Sequence, residues 1–181
     1  MAKGRRRKVG VARTKSGRIS RASDAYQEHI GPIQVRMRMH NLTEPQARDQ
    51  KAESVIGRLS FIGQQMGGLS PQQYEALVEY RAQVDMYRRA IEAIDALRTA
   101  SARTMTPDEE QHRKWCDAVI AKWEASRKAI MAAQVEPSNR MLNLMGALGA
   151  VVIENQNLPY LFDALRVAAN ALVRHYRMGT H

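Results

Sequence analysis

Residues 70–94, "SPQQYEALVEYRAQVDMYRRAIEAI", decide the fold. Apolar side chains recur at Leu77, Tyr80, Val84, Tyr87, Ile91 and Ile94, in alternating steps of three and four residues. That spacing stacks the six on one helical face. Glu79, Arg81, Arg88, Arg89 and Glu92 fall outside the seam, as on a solvated helix surface. Ser70 stands before Pro71, and Gln73 follows three residues after Ser70. Ser at the N-cap with Gln three residues on is a capping box, and proline suits the first helical position because its missing N–H has no partner there anyway. The stretch predicts a helix over about 71–98. Its seam has two uses: facing the core of a bundle, or joining copies of the chain as an oligomer seam.

The same start signal appears at Thr43-Glu44-Pro45-Gln46 and at Thr106-Pro107-Asp108-Glu109-Glu110, the latter with acids where the helix dipole favours them. Gly67-Gly68, "TASART" (99–104) and "VEPSN" (135–139) separate the helical stretches. A helix over 107–133 gathers Trp115, Val119, Trp123 and Ile130, and should fold back on the first as an antiparallel hairpin. A helix over 139–154 carries Met141, Leu144, Met145, Leu148, Val151 and Val152, and "ENQN" (154–157) ends it. The last helix opens near Pro159 and stops at Gly179. Its buried stripe is Leu161, Leu165, Ala168, Leu172 and Tyr176, with Phe162 and Ala169 flanking. No stretch alternates with period two, so the expected class is all-α: a helical bundle over 24–181 behind an arm of 1–23, with a hairpin at 71–133 and a C-terminal pair at 139–178.

The arm opens with "KGRRRKVGVARTKSGRISR" (3–21). Nine bases lie here with no acid: Lys3, Arg5, Arg6, Arg7, Lys8, Arg13, Lys15, Arg18 and Arg21. The other 19 Lys and Arg face 18 Asp and Glu, so nearly all of the +10 net charge belongs to the arm. Such a segment buries too little apolar surface to offset its ordering entropy, and is expected to be disordered when alone. Its chemistry is that of a polyanion ligand, with nucleic acid foremost. It carries no aromatic side chain for stacking on bases and no apolar face for a membrane.

A second basic feature lies on the last helix. At 100° per residue, Arg166, Asn170, Arg174 and Arg177 share an arc of about 80° opposite the apolar stripe, with Asp163 among them. Arg and Asn are the side chains that pair bidentately with guanine and adenine in the major groove. A helix, a turn and a helix bearing such a face has the outline of a helix-turn-helix.

"GGLSPQQYEALVEYRAQVDMYRRAI" (67–91) and "LGAVVIENQNLPYLFDALRVAANALVRHYRMG" (148–179), the latter holding Leu172-Val173-Arg174-His175-Tyr176, resemble a poorly characterised helix-turn-helix-like domain family of bacterial and phage or prophage proteins. Where that family has Trp-Pro before the last helix, this chain has Leu158-Pro159. The resemblance implies DNA-linked work in a phage or prophage setting and brings no catalytic residues.

Other chemistry is sparse. Cys116 is the single cysteine, which excludes an intrachain disulfide and suits a reducing cytoplasm. His112 and Cys116 lie one turn apart near Glu109, but zinc takes four donors and the sequence supplies no further well-spaced set. Gly63, Gly67 and Gly68 lack the Lys-Ser/Thr of a nucleotide loop. The longest apolar run, "LMGALGAVVI" (144–153), is too short to span a bilayer. The expectation is a non-enzymatic protein without metal, cofactor or small-molecule substrate: a DNA-binding regulator or accessory factor. The alternatives are a packaging or structural protein of a phage, oligomerising through the 77–94 seam, and an RNA binder acting through the arm.

Overall fold

The computed structural model describes the backbone of residues 22–100 and 107–178 and the side chains of 31–95 and 108–176, together with four positions before them (13, 15, 16 and 18). Every element of the described residues is helical. The chain divides into two compact units, residues 1–52 and 53–181, a boundary inside the stretch that the sequence reads as one domain.

In the first unit, helix α1 (Ala22–His40) holds Pro32 inside it. Proline removes one ladder hydrogen bond and usually breaks a helix interior. The helix ends at Asn41, which takes φ +51°, and the Leu42 N–H donates to the Met37 carbonyl (3.1 Å). That bond and a left-handed residue are the two parts of a Schellman stop. Helix α2 (Glu44–Arg48) starts as read: the Gln46 side chain accepts from the Thr43 N–H (2.9 Å). Arg36 of α1 donates to the Ala47 carbonyl (2.9 Å) and ties the two helices together.

The second unit holds α3 (Val55–Ile62), α4 (Pro71–Ala100), α5 (Pro107–Val135), α6 (Leu144–Ala147) and α7 (Phe162–Met178). A π-helical turn, Leu148–Ile153, continues α6, and a 3-10 turn, Pro159–Leu161, leads into α7. Helices α4 and α5 form the expected antiparallel hairpin: Tyr87 stacks on Trp123 at 4.0 Å, and Ser126, further along α5, bonds Gln83, earlier on α4. Helix α7 packs against both, α6 covers α7 and α5, and α3 lies on α4 and the π turn. The core joins Leu77 and Tyr80 of α4, Ile130 of α5, Leu144, Leu148 and Val152 before the break, and Leu165, Ala168 and Leu172 of α7. Burying each Leu or Ile contributes about 1.5–3 kcal/mol.

The structure favours one of the two readings of the α4 seam along its first part, and two other expectations change. The seam on α4 is intramolecular where α7 reaches it: Leu77, Tyr80 and Val84 are 0%, 4% and 9% exposed, and Tyr87 stacks within the hairpin. Leu77, Tyr80 and Val84 are therefore core residues, while Tyr87, Ile91 and Ile94 further along stay half-buried. Met141 is 97% exposed, because 139–143 is a 3-10 turn and coil and the helix starts only at Leu144. Trp115 is 40% exposed and stacks with His112, while its neighbour Cys116 takes the core position.

Polar side chains fix the connections. Gln134 donates to the Asn139 and Leu142 carbonyls and accepts from the Leu144 N–H (2.9 Å), so it holds the α5–α6 link. Asn139 is buried and donates to the Ala133 carbonyl (2.8 Å). Asn155, at φ +56°, accepts from the Val55 N–H (2.8 Å), an orphan donor at the start of α3. Without these bonds, each buried polar group would keep an uncompensated desolvation cost of about 1–3 kcal/mol.

Candidate nucleic-acid interface

The two basic features stand differently. Of the N-terminal bases, Arg13, Lys15 and Arg18 are exposed, and Lys3, Arg5, Arg6, Arg7, Lys8 and Arg21 lie outside the described residues. On α7, the backbone of Arg177 is helical and its side chain lies outside the described residues. Arg174 is exposed, as the sequence requires of a contact residue.

Arg166, half-buried, and Asn170, exposed, both bond other parts of the fold. Arg166 Nη1 donates to the Gly67 carbonyl, and its Nη2 is paired with Asp163 one turn back. Asn170 Oδ1 accepts from Gln73 Nε2 (2.8 Å). Gln73 is only 3% exposed, and its Oε1 accepts from the Ser70 N–H (2.8 Å), while the Ser70 hydroxyl accepts from the Gln73 N–H (3.2 Å). One side chain thus closes the capping box of α4 and grips α7. A bidentate contact to adenine needs both the oxygen and the nitrogen of an Asn amide. Here the oxygen is already engaged.

The segment that takes up Arg166 is a tight glycine turn. Gly63 and Gly67 adopt φ +76° and +86°, values open to glycine without strain. Gly68 donates to the Gly63 carbonyl (2.8 Å), and Leu69 donates to the Leu59 carbonyl (3.0 Å). A Cβ on Gly68 would stand 2.2 Å from the Leu59 oxygen. The turn therefore has little freedom to move away from Arg166.

Helix α7 is also walled by its neighbours. Ala164, Leu165, Ala168, Ala169, Ala171 and Leu172 are all buried, a wider arc than the single stripe expected. A reading helix in a helix-turn-helix lies along the major groove with its first residues on base edges. Helix α7 packs on α4, α5 and α6, and its Arg166 and Asn170 bond the 67–73 segment. Sequence reasoning missed Gln73 and Gly67 as partners. The clue was there: a capping box uses the glutamine oxygen and leaves a buried NH2 that needs its own acceptor.

A second polar cluster ties α7 to the hairpin. Ser126 Oγ (2.7 Å) and the Tyr176 hydroxyl (3.3 Å) both donate to Gln83 Oε1. Burial first, with the Glu79 carboxylate adding, pushes the Tyr176 phenol up to about 12. Burial likewise raises Tyr80. Burial pushes the Cys116 thiol up, which disfavours the thiolate that a metal would need. Among the described residues, no group of three or more His, Cys, Asp or Glu could hold a metal ion, and no helix is long and apolar enough to cross a membrane.

No family model, curated protein or solved structure matches the chain.

Proposed function

We propose that the chain is a non-enzymatic DNA-binding protein that grips the duplex backbone chiefly through residues 3–21. The observation that carries this reading is the charge partition: nine bases and no acid in that segment, against a nearly neutral remainder. Lys and Arg side chains neutralise phosphates and release counterions whatever the base sequence. Arg174 and Arg177, on the outer arc of α7, add phosphate contacts. Arg166 and Asn170 hold α7 in place and do not read bases. The protein then acts as an accessory or architectural factor with weak sequence preference, in the phage or prophage setting that the family resemblance implies.

The test is binding of full-length and Δ2–21 protein to one duplex across a salt series. Each phosphate contact contributes about 0.9 to the slope of log affinity against log salt. Deletion should flatten the slope by several such steps and weaken all duplexes alike. An unchanged slope would overturn the reading. Tighter binding to an RNA hairpin than to the duplex would move the partner to RNA. A packaging or structural role is the second reading, and the half-exposed outer part of the α4–α5 hairpin favours it.

A further inference from the structure

A polar chain runs from the surface of the hairpin through Gln83 to the end of α7. Lys122 Nζ of α5 donates to Glu79 Oε1 of α4 (3.2 Å), an exposed ion pair. Gln83 Nε2, one turn further along α4, donates to the same oxygen (3.4 Å). Gln83 itself is 4% exposed, and its Oε1 accepts from Ser126 Oγ (2.7 Å) and from the Tyr176 hydroxyl (3.3 Å). A carboxamide has one accepting end and one donating end. The Glu79 carboxylate takes the donating end, and so turns the oxygen toward the two hydroxyls.

The bond to Tyr176 bears on what stands beside it. Leu172 is the last fully buried residue among the described side chains of α7. Past it, Val173 and Tyr176 pack against the core, and the Tyr176 hydroxyl supplies the polar tie to α4. Arg174, exposed, stands between these two. Helix ends open at low free energy unless something ties them down. A turn that must be ordered on binding loses affinity to that ordering, whereas a turn already held keeps it.

We infer that Gln83 is a positioning residue for the DNA contact at Arg174: through the Tyr176 hydroxyl it holds the last turns of α7, and the backbone that carries Arg174, against the hairpin. The inference rests on the proposed phosphate contact of Arg174, and its test separates the two. Gln83→Leu removes the acceptor. Ser126 can turn to the Lys122 carbonyl (3.3 Å), so the bond lost is the one that reaches α7. Amide hydrogen exchange over 173–178 should quicken by about tenfold or more, while α3 and α6 keep their wild-type rates. On one duplex across a salt series, Arg174→Ala should cost several-fold in affinity in the wild type and little in the Gln83→Leu background, because the contact is already lost there. The salt slope of Gln83→Leu should fall by up to about 1. Tyr176→Phe, a milder change, should move both readouts the same way and less far. The swap Glu79→Gln/Gln83→Glu keeps a donor at position 79 and an acceptor at position 83, and should restore both. A merely structural role would lower stability and leave the cost of Arg174→Ala equal in the two backgrounds. That equality would overturn the inference and leave the proposed function standing. Unchanged exchange over 173–178 in Gln83→Leu and Tyr176→Phe would overturn it without any DNA. An Arg174→Ala variant that binds like the wild type would remove the phosphate contact itself, and the inference with it.

Discussion

The two faces of α7 carry opposite lessons. The apolar face, read as Leu161, Leu165, Ala168, Leu172 and Tyr176, is buried or half-buried at every position. The polar face, read as a surface for bases, is divided: Arg166 and the exposed Asn170 bond the α3–α4 turn and the start of α4, while Arg174 is exposed near the other end of the helix. Apolar periodicity reports a face that must be covered, whatever covers it. Polar periodicity reports only side chains able to bond, and their partner can be water, nucleic acid or the protein itself.

The largest effects should come from the covered face. Leu172 is fully buried in the core, and Leu172→Ala should cost about 2–5 kcal/mol by chemical denaturation, through lost transfer energy and the cavity left behind. A cost below about 1 kcal/mol would mean that α7 does not sit centrally. Next comes Gly68→Ala in the turn that faces Arg166. The new methyl meets the Leu59 oxygen and the Gly63 backbone, which have no flexible end to yield. Overpacking of this kind costs about 1–3 kcal/mol. If Gly68→Ala were neutral, the turn would be looser than the geometry requires, and Arg166 could leave it for a ligand.

Legibility in the sequence follows the range of the interactions. The starts of α2 and α4 were readable because a capping box lies within four residues, and Gln46 and Gln73 both accept as expected. The hairpin was readable because its seam and its helix starts agree. The Gln73–Asn170 bond spans 97 residues, and no local pattern encodes it. The π turn at Leu148–Ile153 shifts the helical phase inside what looks like one stripe, and Met141 fits that stripe by period alone. Pro32 inside α1 breaks a local rule, and nothing in the described side chains explains it.

The cluster at Tyr176 offers an intermediate effect and a sign. Its ordinary phenol value is 10.0, and burial in the fold pushes it up to about 12. A raised folded value means that the fold prefers the neutral phenol. The contribution is therefore fully present below pH 10, falls as pH rises from 10 to 12, and is gone above that window. Thermal stability should drop over this range more steeply in the wild type than in Tyr176→Phe. At neutral pH the Phe variant should lose about 0.5–1.5 kcal/mol, the net worth of one hydrogen bond. Equal alkaline slopes in the two proteins would show that the Tyr176 hydroxyl reaches water.

A last pair of variants separates the two halves of the polar face, and the second of them has the smallest effect on stability. Asn170→Ala removes the acceptor of a buried Gln73 amide, and should cost about 1–3 kcal/mol while leaving the salt slope of DNA binding unchanged. Arg174→Ala touches an exposed side chain, and should change stability by less than about 0.5 kcal/mol. It should lower affinity for all duplexes alike and reduce the salt slope by about 1, the mark of a single phosphate contact. The reverse pattern, with Asn170→Ala stable but altered in base preference, would mean that the amide leaves Gln73 to read DNA and that the inner half of this face opens on binding. If both variants bound like the wild type, α7 would have no part in the interface and the whole grip would rest on residues 3–21.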